Sequence, residues 1–100
     1  MNLTENSARV SGILHHLRGE VVRDSRAGGY VGFSICQERI LDDGTTRRDF
    51  IVARAFDGSL QEQLGTYAEG VRLMVEGEIR SSLGSGEIYL LAHRIECLEE

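Results

Sequence analysis

The chain reads as an all-β protein: a five-stranded Greek-key barrel with one short helix between strands three and four. Three observations carry that reading. Five stretches alternate apolar and polar residues with the period of two that a half-buried strand imposes. Clusters of Gly, Asp and Ser separate them, and proline is absent, so the turns fall to those residues. Leu60 and Leu64, four residues apart, give a helical spacing once only, between the third and fourth strands.

The elements run in order along the chain. From Ala8 to Leu14, alternation places Ala8, Val10, Gly12 and Leu14 on one face. A polar arm runs from Arg18 to Gly29 and ends in Gly28-Gly29, which reads as turn chemistry rather than a phosphate loop. The second strand spans roughly Tyr30 to Leu41, with Val31, Phe33 and Ile35 inward. Asp42-Asp43-Gly44-Thr45 is a hairpin turn signal. The third strand is Asp49 to Phe56. Ser59 or Asp57 caps the short helix, and Gly65 stops it. The fourth strand, Val71 to Arg80, alternates: Val71, Leu73, Val75 and Ile79 in, and Arg72, Met74, Glu76, Glu78 and Arg80 out. Ser81 to Gly86 is a short hairpin loop, and Glu87 to Leu98 is the fifth strand. Three strands, a helix and two strands is the order of the OB-fold. An SH3-like or other open barrel satisfies the strand pattern as well, and the helix favours the OB-fold.

One hundred residues make one domain, 1–100, with residues 1–6 as a flexible N-terminus. Apolar content of 41% and charged content of 27% are ordinary for a globular protein. No apolar run is long enough to cross a bilayer, and Met1 to Ser7 lacks an apolar signal core, so a cytoplasmic protein with no membrane partner is expected. Cys36 and Cys97 lie far apart without metal-type spacing and read as two reduced thiols. The net charge is −5, and all eleven basic residues are Arg. Arginine suits forked phosphate contacts and stacking on bases, although codon bias in a GC-rich genome gives the same composition.

The third strand carries the functional signal. Read as a strand, it sends Ile51, Ala53 and Ala55 to the core, and Phe50, Val52, Arg54 and Phe56 to the other face. A guanidinium then lies between two aromatic rings, with Arg47 and Arg48 just upstream. Such a face suits unpaired bases, which stack on rings while cations hold the backbone. A strand buried on both sides with Arg54 at a rim fits the same letters. Arg72 and Arg80 fall on the outer face of the fourth strand and extend the basic surface; Glu76 and Glu78 share that face and compete for the same arginines. Arg18, Arg23 and Arg26 line the arm, diluted by Glu20 and Asp24. Tyr89 offers another ring on the fifth strand.

Other chemistries find little support. His15 and His16 are adjacent and so point to opposite faces of a strand, which speaks against a shared metal ion. No nucleophile elbow, paired metal motif or Cys-His spacing is present, so neither an enzyme nor a cofactor is expected.

Four segments also resemble a known family, the bacterial single-stranded DNA-binding proteins and their relative, primosomal replication protein N. They are ARVSGIL, GYVGFSI, RRDFIVARAFDGSLQEQL and EGVRLMVEGEIRSS, in the family's order across residues 7 to 98. The resemblance implies an OB-fold binding single-stranded DNA without strong sequence preference, in replication, repair or replication restart. It implies stacking on Phe50 and Phe56, with Arg54 between them, and phosphate contacts from Arg47, Arg48 and Arg80. It also implies a homodimer or homotetramer, with Arg9, Ser11 and Ile13 at a seam between first strands, and replication or repair proteins as partners. The family's Trp residues and acidic tail are not matched here, so an accessory, mobile-element or replication-restart member is expected rather than the housekeeping protein. The alternative is an OB-fold adaptor for another protein, with little or no nucleic-acid affinity, which the acidic balance and the lack of an aromatic in Ser81 to Gly86 suggest.

Overall fold

The first strand, β1 (Ala8–His16), has two neighbours. Its Ala8–Ile13 part pairs antiparallel with β5 (Arg72–Ser81), and its Ile13–His16 part pairs with β3 (Tyr30–Ile40). The computed structural model describes residues 4–16, 22–23 and 29–99. The remaining elements are β2 (Val22–Arg23), β4 (Thr46–Ala55), α1 (Gly58–Gly65) and β6 (Ile88–Cys97). The strand order is β1-β5-β6-β4-β3-β2, and the added β1–β3 pairing makes the ring of five long strands return to its start. Every pairing is antiparallel except β4 with β6. The all-β, OB-type reading therefore holds.

Two details depart from the sequence reading. Val22 and Arg23 of the expected arm form a two-residue strand against Val31 and Tyr30. Arg18, Glu20, Asp24, Arg26 and Gly28 lie outside the described residues, as do residues 1–3. The burial along β5 and β6 also departs from strict alternation. A β-bulge opposite Glu76 and Gly77 leaves His93 of β6 unpaired, and Ile79, expected in the core, lies across from the buried Leu90 but is 41% exposed toward the end of the strand. Met74, expected outside, is buried. The bulge adds one unpaired residue to β6 and re-aims its side chains, so that Leu90, Ala92 and Ile95 all reach the core, which a strict period of two does not anticipate.

The core gathers Leu14, Phe33, Ile35, Ala53, Ala55, Leu73, Val75 and Leu90 from the strands, and α1 closes one end with Leu60 and Leu64. Asp57 caps the helix: its carboxylate accepts from the Ser59 amide at 2.7 Å and the Ser59 hydroxyl at 2.6 Å. Gln63 of α1 donates to the Ile95 carbonyl at 2.7 Å, which ties the helix to β6. The β3–β4 turn closes on Gly44, whose φ of 86° favours glycine, while Asp43 accepts from the Thr45 amide and hydroxyl. At the other end of the sheet, Asn6 donates to the Ile79 carbonyl at 2.6 Å and accepts from the Ile79 amide at 2.8 Å. Its side chain thus continues the β1–β5 ladder past Ala8 and occupies a strand edge otherwise open to another chain.

The bulge and the cap can each be tested. At the bulge, a Cβ on Gly77 would collide with the Leu91 carbonyl oxygen, a backbone atom that cannot swing away. Gly77→Ala is expected to lose roughly 3 kcal/mol or more of stability, read as a fall in the thermal midpoint by circular dichroism. The hydrogen bonds from the Ser59 hydroxyl and then the Ser59 amide hold the Asp57 carboxyl below its ordinary value of 3.8. A depressed carboxylate stabilises the fold above that ordinary value, and the effect is lost as pH falls through the lower folded value. Asp57→Ala should therefore melt below the parent at neutral pH, with the difference closing as the pH drops below 3.8.

Candidate nucleic-acid interface

The outer face of β4 carries Phe50, Val52 and Arg54, with Phe56 just past its end, while Ala53 and Ala55 are fully buried in the core. Arg54 does not lie between Phe50 and Phe56. Its Cζ sits 4.4 Å from the Tyr30 ring centroid and 4.3 Å from that of Tyr89, so the guanidinium is stacked between two tyrosines. The register explains this. Gly32 lies directly across from Arg54 on β3, and with no side chain there the guanidinium has room to lie flat. Tyr30, two residues earlier and on the same face as Gly32, supplies one ring. Tyr89, next to Leu90 that pairs with Ala53, supplies the other. Phe56 packs against both, 5.3 Å from Tyr30 and 6.4 Å from Tyr89.

This cluster is largely closed. Arg54 is 9% exposed, and Tyr30 and Tyr89 are equally buried. Such a desolvated cation needs partners, and the rings provide a quadrupole on each face. At the guanidinium nitrogens, Nη1 donates to Ser82 Oγ at 3.4 Å and Nη2 lies 3.9 Å from Glu87 Oε2. Both partners belong to the turn between β5 and β6.

Phe50 belongs to a second, open cluster. It is 53% exposed, and its ring meets that of His15 at 5.3 Å, tilted by 58°. His15 Nδ1 lies 3.2 Å from Glu69 Oε1. A groove of about 440 Å³ runs here, lined by Ile13, His15, Cys36, Arg48 and Phe50 among others.

The arginines divide among these places. Arg48 pairs with Glu38 at 3.0 Å on the Phe50 face. Arg47, its neighbour in sequence, points to the opposite face, pairs with Asp49 at 3.1 Å and lies across from Arg39. Two like charges directly opposed weaken a hairpin and favour an anion between them. Arg80 lies opposite Tyr89 and is 3.6 Å from Glu78, which also meets His93 at 3.4 Å. Arg72 sits opposite Ile13, at the far end of β5, about 26 Å from Arg80 along an extended strand. It makes no ion pair among the described residues, and neither does Arg39. A further network covers the outside of β1, β5 and β6: Arg9 and Arg94 share Glu76, whose carboxyl is held below its ordinary value first by the Arg9 hydrogen bond.

Sequence reasoning put Arg54 and both phenylalanines on one face but gave the guanidinium the wrong neighbours. Tyr30 was missed as a site residue, as were Ser82 and Glu87. The signal for Tyr30 was available in Tyr30-Val31-Gly32, a ring and a gap on one face of the strand beside β4.

Among the described residues no group of three or more metal-ligating side chains converges, and no helix is long and apolar enough to cross a membrane.

No family model and no curated protein matches the chain. Solved structures do. A small single-stranded DNA-binding protein from Streptomyces coelicolor is 18% identical, with a TM-score of 0.70 over 96% of this chain and 95% of that one. A small single-stranded DNA-binding protein from Mycoplasma pneumoniae is 16% identical, with a TM-score of 0.68 over 97% and 98%. The protein PriB from Ralstonia solanacearum is 19% identical, with a TM-score of 0.68 over 96% and 100%. The likeness is one of fold: nearly every residue of this chain finds a place in an architecture that all three share.

The two clusters should separate in a stability measurement. Tyr89→Leu leaves one face of a buried guanidinium without its ring and should lower stability by about 2 kcal/mol. Phe50→Ala, at an open position, should change it by no more than about 0.5 kcal/mol. Urea melts followed by circular dichroism compare them directly.

Proposed function

We propose that this chain binds single-stranded DNA without sequence preference, as a cytoplasmic, non-enzymatic protein of replication, repair or replication restart. Phe50 and Phe56 stack bases; Arg47, Arg48, Arg54, Arg72 and Arg80 contact phosphates. The observation that carries the reading is the outer face of β4. The strand holds an open ring at Phe50, and just past its end, six residues on, is a ring at Phe56 beside the stacked Arg54 cluster. OB-folds receive oligonucleotides on this face and on the loop that here joins β5 to β6. Support also comes from the fold neighbours described as single-stranded DNA-binding proteins, which match over almost their whole length. Each base stacked on a ring contributes about 1–3 kcal/mol, enough for function with few phosphate contacts. A homodimer or homotetramer and contacts with replication or repair proteins belong to the same proposal.

One observation favours a second reading, an OB-fold adaptor for a protein. Of the seven proposed contact residues, four arginines (Arg47, Arg48, Arg54 and Arg80) lie within 4 Å of a carboxylate, and Ile79, Leu83 and Ile88 are exposed on the β5–β6 hairpin.

Titration of a labelled oligo-dT at low and moderate salt separates the two. Nucleic-acid binding predicts an affinity that falls as salt rises, because phosphate contacts release counterions. It further predicts that Phe50→Ala/Phe56→Ala weakens binding by about tenfold or more. Absence of binding at micromolar protein and low salt would leave the adaptor reading.

A further inference from the structure

We propose that Arg54 is the receptor for one backbone phosphate of the bound strand, and that Glu87 is the internal carboxylate which that phosphate displaces. The inference rests on the single-stranded DNA reading and adds a defined subsite, with an acidic residue that sets its affinity.

A guanidinium has five N–H donors in one plane. Around Arg54 the two faces of that plane are covered by Tyr30 and Tyr89, so ligands reach it only edge-on. Edge-on, the described partners are meagre. The Ser82 hydroxyl accepts at 3.4 Å, a long bond, and Glu87 stands at 3.9 Å, beyond hydrogen-bond reach. A cation buried to nine-tenths and left with one long hydrogen bond is under-satisfied, a condition that native interiors seldom leave without a purpose.

The turn above it suits an exchange of anions. Its backbone is closed by the Ser82 amide donating to the Glu87 carbonyl at 2.7 Å and by the Gly86 amide donating to the Ser82 carbonyl at 2.8 Å. The Glu87 amide donates to Ser85 Oγ at 3.2 Å. The Glu87 side chain itself is 60% exposed, so it can rotate into water while the turn stays in place. A phosphodiester presents two charged oxygens that match the forked N–H pair of arginine, in the plane the tyrosines leave open. Arg80, across from Tyr89 on the same face and only loosely held by Glu78, is placed to meet the neighbouring phosphate. The arrangement works as a rigid cation with a removable counter-charge. Glu87 holds the charge in the free protein and sets a threshold that isolated anions do not cross but a polyanion does.

The test is a titration of labelled oligo-dT against the parent, Glu87→Gln and Glu62→Gln, at low salt. Glu62, exposed on α1 away from the turn, controls for the loss of one negative charge. Glu87→Gln should tighten binding about three- to fivefold, the scale of an exposed ion pair removed from competition, and Glu62→Gln by much less. The chain has three tyrosines and no tryptophan, and two of the tyrosines stack on Arg54. Its intrinsic emission should therefore change as the oligonucleotide saturates, and at a lower concentration for Glu87→Gln. If the parent binds and the two variants behave alike, or Glu87→Gln binds no more tightly than the parent, the displacement proposal is overturned while DNA binding stands. If neither parent nor Glu87→Gln binds, both readings fall together.

Discussion

The structure depends on one strand serving two partners. β1 leaves β5 and joins β3 at Ile13, and this change closes the ring of strands around the core. It requires two backbones to come close. A Cβ on Gly12 would stand 2.5 Å from the Cys36 carbonyl oxygen, so only glycine lets β1 lie against β3 at the crossing. Gly77 plays the same part where the bulge brings β5 against Leu91 of β6. Between these points the inner faces can meet, and Phe33, Ile35, Leu73, Val75 and Leu90 lose nearly all their contact with water. That burial is the main favourable term for a domain of this size.

The closure also determines what lies outside. Because Ala53 and Ala55 face inward, Phe50, Arg54 and Phe56 face outward, and β3 and β6 bring Tyr30 and Tyr89 to the same surface. The small residues Gly32 and Ser34 lie across from Arg54 and Val52 on the outer side of β3, and both are buried. Ring, cation and ring are therefore fixed by the sheet rather than by a loop. A site on strands holds its geometry better than one on a mobile segment.

On the proposed reading, an acidic protein that binds a polyanion has to manage its own carboxylates. Here the charges alternate over short distances: Arg48 with Glu38, Arg47 with Asp49, Arg80 with Glu78, and Arg9 and Arg94 with Glu76. Exposed pairs of this kind contribute little to stability, so under the proposed function a phosphate would take an arginine from its carboxylate at small cost. The net charge of −5 then governs solubility and long-range repulsion, and the local pairs govern contact. Beyond the barrel, the β3–β4 and β5–β6 hairpins carry exposed Ile40, Leu41, Leu83 and Ile88, apolar tips that the core does not use.

The sequence by itself determined the five long strands, the turn at Gly44, the short helix with a cap at Ser59 or Asp57, and the order of these elements, because period, capping and turn chemistry are local properties. It also determined which residues of β4 share a face, since alternation follows from the backbone alone. It did not determine the β6 bulge opposite Glu76 and Gly77, which depends on the partner strand, or the exposure of Ile79 near the end of β5. Nor did it determine the company of Arg54. Phe50 and Phe56 are its neighbours along the chain, but a side chain in a sheet lies beside those of the adjacent strands. Only the register of β3 and β6 against β4 could place Tyr30 and Tyr89 on either side of the guanidinium, with Glu87 at its edge.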